Sequence, residues 1–308
     1  ANDPMSESEE RMQEIMGQVG QVKGFRGILW VAKAFIENFV ETTTDPKKGS
    51  KFDVGPVNTT FSYNFVDGFR LRAGGQTTAN LNPHLFFRGY VAYGFKDRRV
   101  KGLGEVTYSF LPKAYLPREF PVNNLTFTYN HDVMAPSDRF LPTDKDNVFT
   151  ALKWTKVNHM LYYTYFRLLW DREWENNLRL NVRLNHEKDE PTAALFYQPL
   201  DGLGAPSNDP SRWLHHLTTT APTLSLTFQP GATWMNTKQR RYMINKDVPV
   251  FSLSHTIGLR GVLGSDYTYN FTEASIYKRF WLGSWGKIET RLAGGVQWNK
   301  VPYPLLIM

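Results

Sequence analysis

The chain of 308 residues contains no cysteine, which excludes a disulfide framework and any thiolate metal site. It also lacks an apolar run close to the roughly 18 to 20 residues that a membrane-spanning helix requires. The best stretch, Ile28 to Phe39, is interrupted by Lys33, Glu37 and Asn38. The opening ANDPMSESEERM is polar and acidic, as the start of a mature secreted chain or of an excised segment would be. Catalytic signatures are missing too: there is no Gly-x-Ser-x-Gly elbow, no His-Glu-x-x-His and no glycine-rich phosphate loop. The chain is therefore read as non-enzymatic, with no catalytic residue, no cofactor and no metal.

What the chain does have is aromatic side chains, with 15 Tyr, 21 Phe and 9 Trp. That is heavy for a soluble domain and suits aromatic girdles at two membrane–water boundaries. The mean hydropathy of −0.43 looks soluble. A transmembrane barrel looks the same on average, because every second residue faces its interior. The formal net charge is +7, from 36 Lys and Arg against 29 Asp and Glu. These cations are scattered through strand-like segments and form no dense block, so no nucleic-acid partner is expected.

The stretch Pro56 to Phe110 sets the pattern for the rest. Phe61, Tyr63 and Phe65 alternate with Ser62 and Asn64. Asp67-Gly68 then marks a hairpin. Phe69, Leu71 and Ala73 alternate with Arg70 and Arg72. Two further segments, His84 to Gly94 and Lys101 to Phe110, complete an antiparallel meander. Side chains on a strand point to opposite faces with a period of two, so each segment meets two different environments.

Two short amphipathic helices, Met5 to Val19 and Ile28 to Phe39, are expected ahead of it, with a strand as the alternative for the second and a polar linker over Thr42 to Phe52. After it, Pro112, Pro117 and Pro121 forbid strand pairing, and Leu125, Phe127 and Tyr129 resume it. His131 to Asn147 reads as a solvated acidic loop; its Asp132, Asp138, Asp144 and Asp146 do not have calcium-loop spacing. Met160 to Trp174 is aromatic on both faces. The cleanest two-faced strand follows: Leu178, Leu180, Val182 and Leu184 alternate with Arg179, Asn181, Arg183 and Asn185. Lys188 to Leu214 is a long loop, and long loops on one side with short turns on the other characterise outer-membrane barrels. His215-His216 ends it as two independent polar histidines, because vicinal residues on a strand point apart. Later strands run through Leu224 to Phe228, Phe251 to Leu259, Tyr267 to Phe280 with a break near Thr272-Glu273, and Ile288 to Trp298. His255 falls on the apolar register, as a histidine with a local hydrogen bond. Lys238-Gln239-Arg240-Arg241 is the densest basic cluster.

The run Ser62-Tyr63-Asn64, Asp67-Gly68, Arg70, Arg72, Gly74-Gly75, Gly89 to Gly94, Lys96-Asp97 and Lys101 resembles a family of large outer-membrane proteins from Bacteroidetes. Those proteins carry an N-terminal carboxypeptidase-regulatory-like domain followed by a barrel domain of unknown function. Asp247 to Phe251, Ser254-His255 and Gly258-Leu259 are similar to that family, and also to a strand of the bacterial surface-antigen superfamily of assembly and translocation barrels. The resemblance runs from about Asp53 onward. It implies a sixteen-stranded barrel in longer chains, of which this sequence would be a part.

The expected fold is all-β: a partial antiparallel transmembrane β-barrel, with roughly ten strands long enough to span a bilayer and one or two short N-terminal helices. Residues 1–52 would be a helical and linker segment. Residues 53–308 would be the barrel, cut on its C-terminal side at the greasy Pro304-Leu305-Leu306-Ile307-Met308. Arg70, Arg72, Arg179, Asn181 and Arg183 would line the interior, and Leu178, Leu180, Val182 and Leu184 would face lipid. The resemblance implies polypeptide, lipid or solute handling at the bacterial outer membrane. Outer-membrane lipid and other envelope proteins would then be the partners. A passive or gated nutrient channel is the alternative, and an outer-membrane hydrolase or a soluble β-sandwich binding protein are lesser ones.

Overall fold

The computed structural model describes residues 37–43, 49–136, 138, 145–146, 159–193, 197–198 and 209–301. Both expected N-terminal helices fall almost wholly outside these residues, as do Asp144 and the apolar end from Pro304. The sheet begins with β1 (Val40–Glu41) and β2 (Phe52–Val54), which pair with each other; the expected linker thus ends in a strand. β3 (Phe61–Asn64) and β4 (Gly68–Thr77) form the first hairpin. Gly68 takes φ +64° at its corner, a conformation that disfavours a side chain. Then come β5 (Leu85–Gly94), β6 (Val100–Ser109), β7 (Asn123–Met134), β8 (His159–Glu173), β9 (Leu178–Ala193) and β10 (Leu217–Phe228). A small separate hairpin, β11 (Trp234–Asn236) and β12 (Arg241–Met243), precedes β13 (Val250–Gly258), β14 (Tyr269–Trp281) and β15 (Lys287–Gln297).

All but β11 and β12 belong to one 13-stranded sheet, and every strand pairing is antiparallel. The sheet is not closed: its order runs from β1 through β2 and β4 to β15, and β15 has no second neighbour among the described residues.

The pairing registers drift steadily across the sheet. Leu85, the first residue of β5, lies opposite Tyr108, which leads in turn to Leu125, Trp170, Val182, Leu224, His255, Thr272 and Val296. Leu85 and Lys287 both stand at one rim, yet the row ends at Val296, next to the last residue of β15 and near the opposite rim. The stagger is a little over one residue per strand, a strand tilt of about 40°. A flat sheet would keep such a row beside one rim.

The two faces are unlike. On β4, Arg70, Arg72 and Gln76 are buried while Phe69 and Leu71 are exposed. The same inversion continues: Lys101, Thr107, Asn124, Thr128, Asn130 and Asp132 are buried, and Phe87, Val91, Val106, Tyr108, Leu125, Phe127 and Tyr129 are exposed. Among the described residues, clustered apolar burial is confined to two small groups where β7 meets β8, around Val133, Ala135 and Met160 and around Met134, Leu161 and Tyr163.

Four expectations need correction. The acidic segment is not a loop from His131: β7 continues to Met134 and carries Asp132 with it. Its polar row Asn124, Thr126, Thr128, Asn130 runs unbroken into Asp132, so the strand has reason to continue. The long loop does not start at Lys188, because β9 extends to Ala193 on cross-strand pairs with β8. β14 has no break at Thr272-Glu273; both residues pair on each side. Long loops are not restricted to one rim. The rim with the tight turns at 174–177 and 282–286 also bears the connections 110–122 and 229–249. These two fold inward across the polar face: Tyr115 and Gln239 both reach Asp53 of β2. Pro222, in mid-strand, is accommodated because the β10–β13 pairing stops at Thr223, where no further amide is required.

Candidate functional site

The polar face gathers charge most densely where β3–β7 meet the segment around Asp146. The strand period puts Arg70 and Arg72 of β4 on that face, and the pairing of Ala92 with Lys101 brings Lys101 onto it from β6. Asp132 arrives from β7 and Asp67 from the β3–β4 corner.

Arg70 is fully buried and grips Asp132 with both arms, Nη1 to Oδ1 at 2.6 Å and Nη2 to Oδ2 at 2.8 Å. It also reaches Asp67 at 3.0 Å and Asp146 at 3.1 Å. Arg72 donates to Asp146 at 2.9 Å and lies over the Tyr90 ring at 3.6 Å. Lys101 pairs with Asp67 and Asp97. Lys145 meets Asp132 and Asp146, each at 3.2 Å. The Tyr90 hydroxyl donates to Asp132, and that of Tyr162 to Asp97 at 2.6 Å. Two Arg and two Lys thus face four Asp, and the cluster is formally neutral. Charge-assisted pairs of this kind are strong only because each is hydrogen-bonded on several sides.

Burial alone would raise the Asp97 carboxyl. Hydrogen bonds from Lys101, from the Tyr162 hydroxyl and from the Arg99 amide, with the Lys101 charge, hold it below the usual carboxylate range instead. Gly94 makes the necessary room. A Cβ there would press on Asp97 Oδ1, and would stand 2.6 Å from Asp67 Oδ1 and 2.9 Å from Lys101 Nζ. Gly94→Ala is therefore expected to cost about 1–3 kcal/mol by overpacking. Urea unfolding of the variant in detergent measures it; a loss below about 0.5 kcal/mol would mean that the cluster shifts freely.

The interior candidates thus divide. Arg70 and Arg72 join the cluster. Arg179, Asn181 and Arg183 lie on the same polar face further round the sheet, outside it. Arg179 pairs with Asp171, and Arg183 reaches Thr223 at 3.5 Å. Leu178, Leu180, Val182 and Leu184 take the opposite face, and at β9 both faces are partly open. The basic run 238–241 turns onto the polar face: Lys238 meets Glu41 at 2.8 Å, Gln239 joins Gln76 and Asp53 at 2.8 Å each, and Arg241 forks onto Glu173 at 2.6 and 2.8 Å. His255, on the apolar face, bonds Thr272 at 2.8 Å, while His215 and His216 are exposed and outside any strand. Sequence reasoning passed over Lys101, Asp67, Asp97 and Tyr90 as site residues. Strand parity put Lys101 and Tyr90 on the face of Arg70, but nothing local named the carboxylates they would meet.

A family model described as the C-terminal domain of a family of unknown function (DUF5686) matches residues 38–302. The chain belongs to that family. The match takes in every strand from β1 to β15 and the whole charged cluster. No curated protein matches the chain. The family's description gives no activity, so a functional reading rests on the two faces. Among the described residues no group of three His, Asp or Glu side chains could hold a metal ion, and no helix is long and apolar enough to cross a membrane, which says nothing of strands.

Proposed function

We propose that this domain forms part of the wall of a β-barrel in a bacterial outer membrane. Its apolar face meets lipid, its polar face surrounds water, and it handles polypeptide, lipid or solute without catalysing a reaction. The inversion of the two faces carries this reading: fully buried side chains include Arg70, Lys101 and Asp132, while Phe, Leu, Val and Tyr stand exposed across consecutive strands. A soluble monomer rarely exposes a contiguous apolar surface of this breadth. Hydrocarbon is the environment that suits it, with the backbone groups of the inner strands satisfied between neighbours.

Two aromatic bands support the same reading. Near one rim Phe61, Phe69, Tyr93 and Phe95 are in ring contact. Near the other, Tyr108 packs on Phe110 and Phe228 on Phe251. Aromatic girdles at both edges bound the apolar band of transmembrane barrels. The tilt of about 40° is that of closed barrels. The motifs between Ser62 and Lys101 that resemble Bacteroidetes outer-membrane proteins lie within this sheet and are in keeping with that location.

The test is gel mobility of the full-length protein from a membrane fraction. Unboiled protein is expected to migrate apart from boiled protein, because a folded barrel resists SDS. Recovery in the soluble fraction without detergent, with a single mobility, would sink the proposal.

A further inference from the structure

Arginines on the polar face commonly meet a carboxylate: Arg70, Arg72, Arg179 and Arg241 all do. Arg88 of β5, Arg118 of the 110–122 connection and Arg240 of the β11–β12 loop differ. Their side chains have no hydrogen bond or ion pair among the described residues. Their surroundings bring them together. Arg88 is the cross-strand neighbour of Gln76, and Gln76 donates to Gln239, next to Arg240. Arg241, on the other side of Arg240, lies 5.5 Å from the Phe120 ring in the connection that carries Arg118. Two carboxylates stand among them, so the three cations keep one positive charge in excess. Glu119 accepts from the amides of Ala114, Tyr115 and Leu116 at 2.9 to 3.1 Å, and Glu105, opposite Arg88, accepts from Thr128. Arg118 is exposed on one side, yet burial on the others, with the charges of Arg88 and Arg240 against those of Glu105 and Glu119, pushes its guanidinium down to about 10. Arg88 also lines a cavity of about 200 Å³ with Arg72, Tyr90, Asn130 and Lys145.

We propose that Arg88, Arg118 and Arg240 form a binding station for a phosphate-bearing solute inside the polar face. Planar guanidinium forks match phosphate oxygens, and three neighbouring cations with a positive charge in excess lower the cost of placing an anion there. The inference rests on the water-filled interior proposed above. The phosphate belongs to a small solute and not to a lipid headgroup, because the three groups stand on the face opposite the aromatic bands.

The test is calorimetric titration of the detergent-solubilised full chain with inorganic pyrophosphate at low ionic strength. Saturable one-site binding is expected. Arg118→Gln should weaken it at least about tenfold, the loss of one charged hydrogen-bond partner, and the triple variant with Arg88→Gln and Arg240→Gln should abolish it. Arg279→Gln, at an arginine paired with Glu289, should leave it unchanged. Arg240→Gln alone, on an exposed loop, keeps the test valid if the triple variant fails to fold. Absence of saturable binding, undiminished binding in the single and triple variants, or binding of phosphatidate micelles in place of pyrophosphate would overturn the station. A protein that keeps its heat-dependent mobility but binds no pyrophosphate would overturn the station alone.

Discussion

Leu180→Arg is expected to block membrane insertion, whereas Arg179→Leu, one residue away, leaves it intact. Arg on the lipid face of a barrel costs about 2–4 kcal/mol at the hydrocarbon midplane, less toward the rim near which Leu180 stands, and much less again on the interior face. Leu180 stands beside Leu226 of β10 in the apolar row, with Arg172 of β8 on its other side, and neither neighbour offers a carboxylate. Arg179 faces the other way. Its partner Asp171 is left without a cation in the leucine variant, but the Arg179 side chain is 46% exposed and such open pairs contribute only about 0–1 kcal/mol. The folded, heat-shifted fraction of each variant in purified membranes is the readout. Equal tolerance of both substitutions would overturn the assignment of the faces.

The same alternation that makes this prediction was readable from residue types alone. Strand positions in β4, β6 and β9 follow directly from apolar and polar parity, because a period of two leaves little freedom once one face is chosen. Ends of strands were less legible. β7 and β9 run on where Asp132, Lys188 and Glu190 make the local sequence look like loop. Cross-strand pairing, and for Asp132 the fork of Arg70, outweighs the local preference. The partners in the charged cluster were not legible at all. Asp132 lies 62 residues from Arg70, and Asp146 lies 74 residues from Arg72. Distances of that kind are set by how far the sheet curls, which no local pattern encodes. The inward fold of the 229–249 connection is of the same sort: Gln239 meets Asp53 across 186 residues of chain.

Asp132→Asn should be among the most destabilising conservative substitutions in the domain, at about 3–5 kcal/mol, because it leaves buried cations without their counter-charge. Asp132 accepts from both arms of Arg70 and from the Tyr90 hydroxyl, and it stands 3.2 Å from Lys145. Asparagine keeps the shape but leaves four cations against three anions. Arg70→Met errs in the opposite direction, leaving Asp67, Asp132 and Asp146 short of one cation. The double variant restores formal neutrality with three of each. It is expected to lose less than the two single losses combined, with a coupling of roughly 1–3 kcal/mol, as found for contacting charges in one network. Urea unfolding in detergent, with an unchanged dependence on denaturant, gives all three values. If the single losses add within about 0.5 kcal/mol, the cluster is a set of independent contacts and charge balance is not what holds it.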